Sequence, residues 1–440
     1  MLNLFNWSRG RRRVVADFLS ATENEIYLDS LLFSLGGASP EKLGFFPRPT
    51  KWVSLAKKHP RASFVAWRLV RLAWLGGGGL VFFLWQYFRM RPGAGFRKKQ
   101  SSAYLENSGY VLALSTRVGD IIHAGNIPDL PANWVTLPWV PLRQIPTNVN
   151  VVDLMELLDA GDLARALRDA VCSIYISRNR QQISPWVLQT YTAFRWFVVR
   201  AAIDKLPGDL LMAEHFDRWA VLVDGSARCQ RFVDPASGIR CKRKLTLVQH
   251  GSLGSLGSNN NIGAVSRLDL PRKLHAVAHL YAYDRGQEME FKNSVLSPES
   301  AGKIEISYYQ SRIELRKVAD YSGVKILFVG HPVCEALHMH LYESLRTNYM
   351  FKAYYKPHPL SPMSAKASAI DWEVIREPHH FPEVDMLISY PSTLVVEYSG
   401  AGISAVVHPI DMPIESSNDL MASIAAKLKT VCPPTRSPDS

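Results

Sequence analysis

Cysteine is scarce: five residues in 440 (Cys172, Cys229, Cys241, Cys334 and Cys432). None forms a CxxC pair or stands in a Cys/His ligand spacing, so the sequence supports no zinc site, and an odd, sparse set fits a reducing compartment. The arginines at 9 and 11–13 are followed by a stretch that Asp17 interrupts, with no apolar run behind it. No secretory leader is therefore expected. There is no short-period repeat, which excludes a solenoid. No DxD-like carboxylate pair stands out, so neither a metal nor another cofactor is expected.

Acidic residues are missing from one region. Residues 51–100 hold eleven Lys and Arg and not one Asp or Glu. The first hundred residues carry 17 basic and 5 acidic side chains, a surplus equal to the formal net charge of +12 for the whole chain. The rest is neutral, which argues against a nucleic-acid groove in the main body.

Within the basic region, residues 72–88 read LAWLGGGGLVFFLWQYF, uncharged and flanked by Arg68, Arg71, Arg89 and Arg91. Seventeen residues fall short of the roughly 20 that a membrane span needs. The run Gly76–Gly79 weakens a helix by about 1 kcal/mol per residue. Arginines on both sides set no orientation. The favoured expectation is a segment docked on an anionic membrane surface, with Trp67, Trp74 and Trp85 at headgroup level. A true span and a buried helical hairpin stay open as alternatives.

Beyond residue 100, short apolar runs alternate with helical spacing. Strands are read at 109–114, 210–214 and 245–249, then, in a second series that starts at 280–283, at 324–329, 350–355, 384–389 and 405–408. Helices are read at 151–170, 185–203, 334–345 and 393–400. The pattern predicts two α/β units with largely parallel sheets. The expected division is a docking segment over 1–100, a Rossmann-like acceptor domain over 101–265 and a Rossmann-like donor domain over 266–440. The glycine- and asparagine-rich stretch 251–263 is read as the hinge. In such sheets ligands sit at the carboxyl ends of the strands.

Four clusters fall at those ends. Gln249-His250-Gly251 follows LTLV, and His331-Pro332 follows ILFVG. Lys356-Pro357-His358-Pro359 follows FKAYY, where proline on both sides stiffens the histidine's backbone. Pro391-Ser392-Thr393 follows MLISY and opens a helix that carries Glu397. Hydroxyls and backbone N–H groups at a helix start suit a phosphate, and Glu397 one turn inside could accept from a ribose hydroxyl. Each cluster also has a plain reading, as N-caps or turn residues.

His358-Pro359 followed about 35 residues later by Ser392-Thr393 resembles the GT-B-type glycosyltransferases that use cytidine-nucleotide donors. These include bacterial polysialyltransferases, capsule Kdo transferases and CDP-glycerol glycerophosphotransferases. The resemblance covers about residues 205–410. It implies two Rossmann-like domains facing across a cleft (GT-B-like) and transfer from a CMP- or CDP-linked donor to a cell-surface polysaccharide or lipid-linked acceptor. It places work on the inner face of the cytoplasmic membrane. It assigns donor binding to His358, Pro359, Ser392 and Thr393, with Lys356, Glu397 and His331 nearby. Where sialyltransferases of this group have a paired acidic-Gly motif, this chain has only Val223-Asp224-Gly225. The candidate general bases are therefore His250 first, Asp224 second and Glu214 third. A UDP-sugar enzyme of the same fold, an epimerase or phosphotransferase, and a non-enzymatic membrane scaffold remain the rivals.

Overall fold

The computed structural model describes residues 9–35, 59–94, 109–116, 118–125, 127–128, 130–142, 145, 148–178, 183–229, 231–233, 240–253, 268–310, 313–318, 321–358, 363–377 and 380–431. The chain divides into two compact units: Met1–His250 with Asp269–Tyr309, and Gly251–Leu268 with Gln310–Ser440.

The first unit is built on a seven-stranded sheet. Its strands are β1 (Tyr110–Ala113), β2 (Asn133–Thr136), β3 (Asn150–Asp153), β4 (Leu210–Met212), β5 (Leu245–Val248), β6 (Val277–Ala282) and β7 (Glu305–Tyr308). They lie in the order β3-β2-β1-β4-β5-β6-β7, and every neighbouring pair is parallel. Buried on both faces, β1 and β4 show continuous apolar runs rather than alternation. The second unit carries β8 (Val324–Val329), β9 (Phe351–Lys356), β10 (Glu373–Val374), β11 (Met386–Ser389) and β12 (Ser404–Val407). Their order is β10-β9-β8-β11-β12, again all parallel. Its core packs Phe328, Leu341, Ile388 and Ile424 around Tyr355 and Trp372, whose rings stack with centroids 4.3 Å apart. The chain is thus α/β with mostly parallel sheets.

The division of the chain differs from the one read in the sequence. Strands β6 and β7 lie beyond residue 266, yet they extend the first sheet through β5. The first hundred residues also contribute to the first unit. Helix α1 (Arg9–Leu35) packs on helices of that unit, with Phe18 edge-on to Trp196 at 5.4 Å. The helices α2 (Pro60–Ala73) and α3 (Gly79–Met90) join through a π turn over Trp74–Gly78. Gly77 there has φ of 122°, a left-handed value that suits glycine, so the glycine run makes a kink. Next come α4 (Ala160–Ser177), α5 (Ala193–Ile203) and α6 (Arg218–Cys229), and in the second unit α7 (Glu335–Arg346).

Buried charges bind α1 in place. Asp17 accepts from Arg200 at 2.9 Å and from Arg228 at 3.1 Å, and Arg200 also pairs with Asp204 at 2.9 Å. Gly225 on α6 is required by this approach: a Cβ there would lie 2.4 Å from Asp17 Oδ2 and 2.8 Å from Arg200 Nη1. Removing one partner of a buried pair strands the other, so Asp17→Ala should destabilise the fold by about 3–5 kcal/mol in urea unfolding. Gly225→Ala should be costly in the wild-type chain and much cheaper in the Asp17→Ala background. Equal costs in both would mean that the glycine does not serve the ion pair.

Candidate functional site

In both sheets the chain starts in the middle, runs outward on one side, then crosses to the other. The crossing lies between β1 and β4 in the first unit and between β8 and β11 in the second. At such a switch point the loops diverge and leave room for a ligand at the strands' carboxyl ends.

In the second unit, β8 ends at Val329 and is followed by Gly330 and His331. Gly330 has no room for a side chain, since a Cβ would lie 2.3 Å from the Tyr355 ring, and its N–H donates to Lys356 O at 2.8 Å. His331 is thereby held beside two rings, His358 at 5.1 Å and Tyr390 at 5.3 Å, both roughly edge-on. His331 Nδ1 accepts from the Val333 N–H at 3.2 Å, which puts its proton on Nε2. Burial, with His358 beside it, pushes the imidazole down to about 4, so it is a neutral donor at physiological pH. The structure therefore brings His331, His358 and Tyr390 together. Pro359 lies outside the described residues.

Helix α8 (Thr393–Gly400) begins on the other side of this switch point. Its N-cap residue Ser392 gives it no side-chain cap, because the hydroxyl sits 3.0 Å from Ser389 Oγ instead. An N-terminus without a side-chain cap suits an anion. Thr393 is the first helical residue, and Glu397 lies one turn along. Lys356 is placed differently from the expectation that it supplies charge to a phosphate. It is buried, and its Nζ donates to the carbonyls of Glu377 and His380, both at 2.9 Å. Burial pushes the amine down to about 8. Its role here is to fasten the end of β9 to the loop before β11.

Behind His331, Cys334, His338 and His408 are buried with their ligand atoms within 4.8 Å of one another, the one such group found among the described residues. His408 Nδ1 donates to Pro409 O at 2.8 Å, leaving Nε2 to accept from His338 Nε2 at 2.8 Å. Two nitrogens on one tetrahedral zinc, each at about 2.0–2.1 Å, stand about 3.3 Å apart. The arrangement fits a hydrogen-bonded imidazole pair, and burial keeps both rings neutral.

In the first unit, the loops after β1, β4 and β5 carry Ser115, Glu214-His215 and His250. His250 Nδ1 bonds the Ala213 carbonyl, so the proton sits on Nδ1 and the lone pair on Nε2. Its backbone N lies 2.8 Å from His215 Nε2, and the two rings are 4.0 Å apart. Burial, followed by His250, drives His215 well below its usual range and holds it neutral. Gln249 is structural: it accepts from the Tyr283 N–H at 2.9 Å, donates to Gln287 at 2.8 Å, and its carbonyl accepts from the Tyr309 hydroxyl.

Glu214 is buried, and its Oε2 has no hydrogen-bond partner. Burial first, then the Asp217 carboxylate, raise its carboxyl to about 8, against a lowering bond from Ser115. Asp217 is raised too, by burial and by Glu25. Asp224, by contrast, is occupied within the fold. It accepts from the N–H groups of His275 and Ala276, both at 2.6 Å, and pairs with Arg228 at 3.1 Å. As a general base it is corrected: the Asp-Gly pair on α6 holds the loop before β6 and admits Asp17.

Sequence reasoning missed Ser115, His215, Asp217 and Tyr390. They lack a motif, and only the strand order sets them beside the others. No protein-family model and no curated protein matches the chain.

The Glu214 shift has a measurable consequence. The folded state holds a proton that the unfolded chain, with the ordinary carboxyl value of 4.5, releases. Its stabilisation is complete below pH 4.5 and is lost as pH rises to about 8, with a slope of at most about 1.4 kcal/mol per pH unit. Glu214→Gln should flatten the stability profile across that window and be the more stable protein above it. A mutant profile parallel to the wild type would show that Glu214 ionises normally.

Proposed function

We propose that the protein is a GT-B-like glycosyltransferase that moves a sugar or polyol phosphate from a CMP- or CDP-linked donor. The acceptor is a growing cell-surface polysaccharide or a lipid-linked precursor, reached at the inner face of the cytoplasmic membrane. The observation that carries the reading is the cluster at the second unit's switch point. His331, His358 and Tyr390 converge there next to a helix whose N-terminus has no side-chain cap.

The chemistry follows from these groups. The N-terminus of α8, with the Thr393 hydroxyl, stabilises the charge that develops on the leaving phosphate. His331, neutral and protonated at Nε2, donates to a phosphate or ribose oxygen. His358 meets the nucleotide beside it. Glu397, half-buried on α8, accepts from a ribose hydroxyl. The transfer leaves the nucleotide with the electrons of the broken bond, and the acceptor hydroxyl loses its proton to a base. His250 supplies that base: the Ala213 carbonyl fixes its tautomer, so Nε2 is the accepting nitrogen. Glu214, holding its proton at neutral pH, is unsuited to the role of base and suited to donate a hydrogen bond.

A melting-temperature panel of CMP, CDP, UDP, GDP and ADP tests the reading. A nucleotide that binds only the folded chain stabilises it by about 2.7 kcal/mol at a hundredfold excess over Kd. CMP or CDP should raise the melting temperature of the wild type and fail to do so in His358→Ala and in Thr393→Val. A shift with UDP alone would keep the transferase and discard the cytidine donor; no shift with any nucleotide would sink the reading. For the base, His250→Gln should lower kcat about 10²–10⁴-fold with the nucleotide shift unchanged. An unchanged kcat would return the base to another residue.

A further inference from the structure

Among the described residues one helical stretch, Val65–Gly93, is long and apolar enough to cross a membrane. Part of it is fixed to the first unit. On α3, Gly79, Phe83 and Gln86 are buried. A Cβ on Gly79 would strike Ile174 Cδ1 of α4 at 2.5 Å, and Trp74 Nε1 donates to Thr190 Oγ1 at 2.9 Å. The opposite face of α3 is bare: Val81 is 67% exposed, Phe88 59% and Trp85 52%. On α2, Val65, Leu69 and Leu72 fall at helical spacing on one exposed stripe, bordered by Arg61 and Arg68.

Beside α3 lies a cavity of about 560 Å³ at the carboxyl ends of β2 and β3. Arg89, Arg195, Gln86, Trp85 and Trp139 line it, with Asp153 and Glu156 at its wall. Gln86 is 2% exposed and its side-chain oxygen has no partner; Arg195 Nε is buried and has none either. Arg89 lies over Trp85 at 5.5 Å and Arg195 over Trp139 at 5.2 Å. Asp153 is engaged by the Met155 N–H at 2.8 Å.

We propose that α2 and α3 form an in-plane anchor whose bare apolar face sits in an anionic bilayer while the arginine cavity beside it holds a lipid phosphate. Charge selects this occupant. Not one acidic residue stands among 51–100, and arginines border the apolar stripe, as anionic headgroups require. Inside the cavity, two guanidinium groups repel each other. Burial, reinforced by the Arg89 charge, pushes Arg195 downward. A phosphate between them relieves the repulsion and accepts from the two guanidinium groups that line the cavity. Trp85 both lines the cavity and faces outward, so a headgroup can enter while its acyl chains stay in the bilayer. The inference rests on this helix pair and stands apart from the nucleotide reading.

Flotation of the full chain with vesicles tests it, using phosphatidylcholine alone or mixed with phosphatidylglycerol. The wild type should float with the anionic vesicles and poorly with the neutral ones. Val81→Asp with Phe88→Asp, both at exposed positions, should lower the bound fraction at least about tenfold, since a buried charge costs a few kcal/mol in a bilayer. The melting temperature should not change. Arg89→Ala with Arg195→Ala, checked for an intact melting transition, should bind the anionic vesicles about tenfold less, while the arginines along the stripe keep a residual preference for them. A wild type that floats with neither, or a Val81/Phe88 variant that floats normally, would overturn the anchor. So would light scattering that shows a dimer dissolved by the same variant, since a second copy would then own the face. Anionic binding left at the wild-type level after loss of both arginines would overturn the phosphate site. A melting shift with CMP or CDP reads the donor site separately in every variant.

Discussion

Parallel strands must be joined by crossovers, and in both units these begin at the middle of the sheet. The chain lays down strands 1, 2 and 3 to one side, then returns and lays the remaining strands, from 4 onward, on the other. At the carboxyl ends of strands 1 and 4 the loops leave in different directions, and the side chains that meet there are Ser115 and Glu214 in the first unit and His331 and Tyr390 in the second. Buried polar groups are costly unless the surrounding structure binds them. The described groups that could do chemistry gather at these two gaps because side chains there can be held by strand ends while still facing a ligand.

What the two gaps share is the removal of charge. Burial neutralises His331 and His215 and protonates Glu214. Neutral imidazoles make directed donors and acceptors whose tautomer is set by a single carbonyl or amide. Ala213 sets it for His250, the Val333 amide sets it for His331, and Pro409 sets it for His408 and through it for His338. On the proposed reading, the charge that a phosphate needs falls to a helix terminus, which needs no proton to be positive.

Much of this was legible in the sequence. Short apolar runs ending in His, Pro, Ser or Thr marked the strand ends, and each of the four clusters lies at or within two residues of the end of a strand. Parallel strands buried on both faces leave continuous apolar runs, which periodicity finds. What escaped was set by long-range pairing. Nothing local says that 277–282 adds to the first sheet, since its apolar run would suit either unit. Asp224 looked like a motif because acid and glycine are adjacent. The physical reasons are separate: the acid holds the loop before β6, and the glycine admits Asp17 from more than 200 residues away. Lys356 looked like a phosphate ligand for lack of any sign that two carbonyls would claim it. Tyr390 and Ser115 are ordinary residue types whose neighbours only the strand order supplies.

The glycine run shows how far composition can mislead about a helix. Four glycines in an apolar stretch argue against a stable helix if the helix must stand alone in water. Here the run is used at two points. Gly77 takes the left-handed turn that separates α2 from α3, and Gly79 allows α3 to close on Ile174 and on the ring of Trp74. A straight span would need neither. A helix pair bent at glycine, fixed by one face and bare on the other, has the shape of a segment that lies along a surface. On the proposed anchor, Arg61 and Arg68 run beside the apolar stripe and Arg89 and Arg91 follow it, so both helices of the pair present charge to the headgroups.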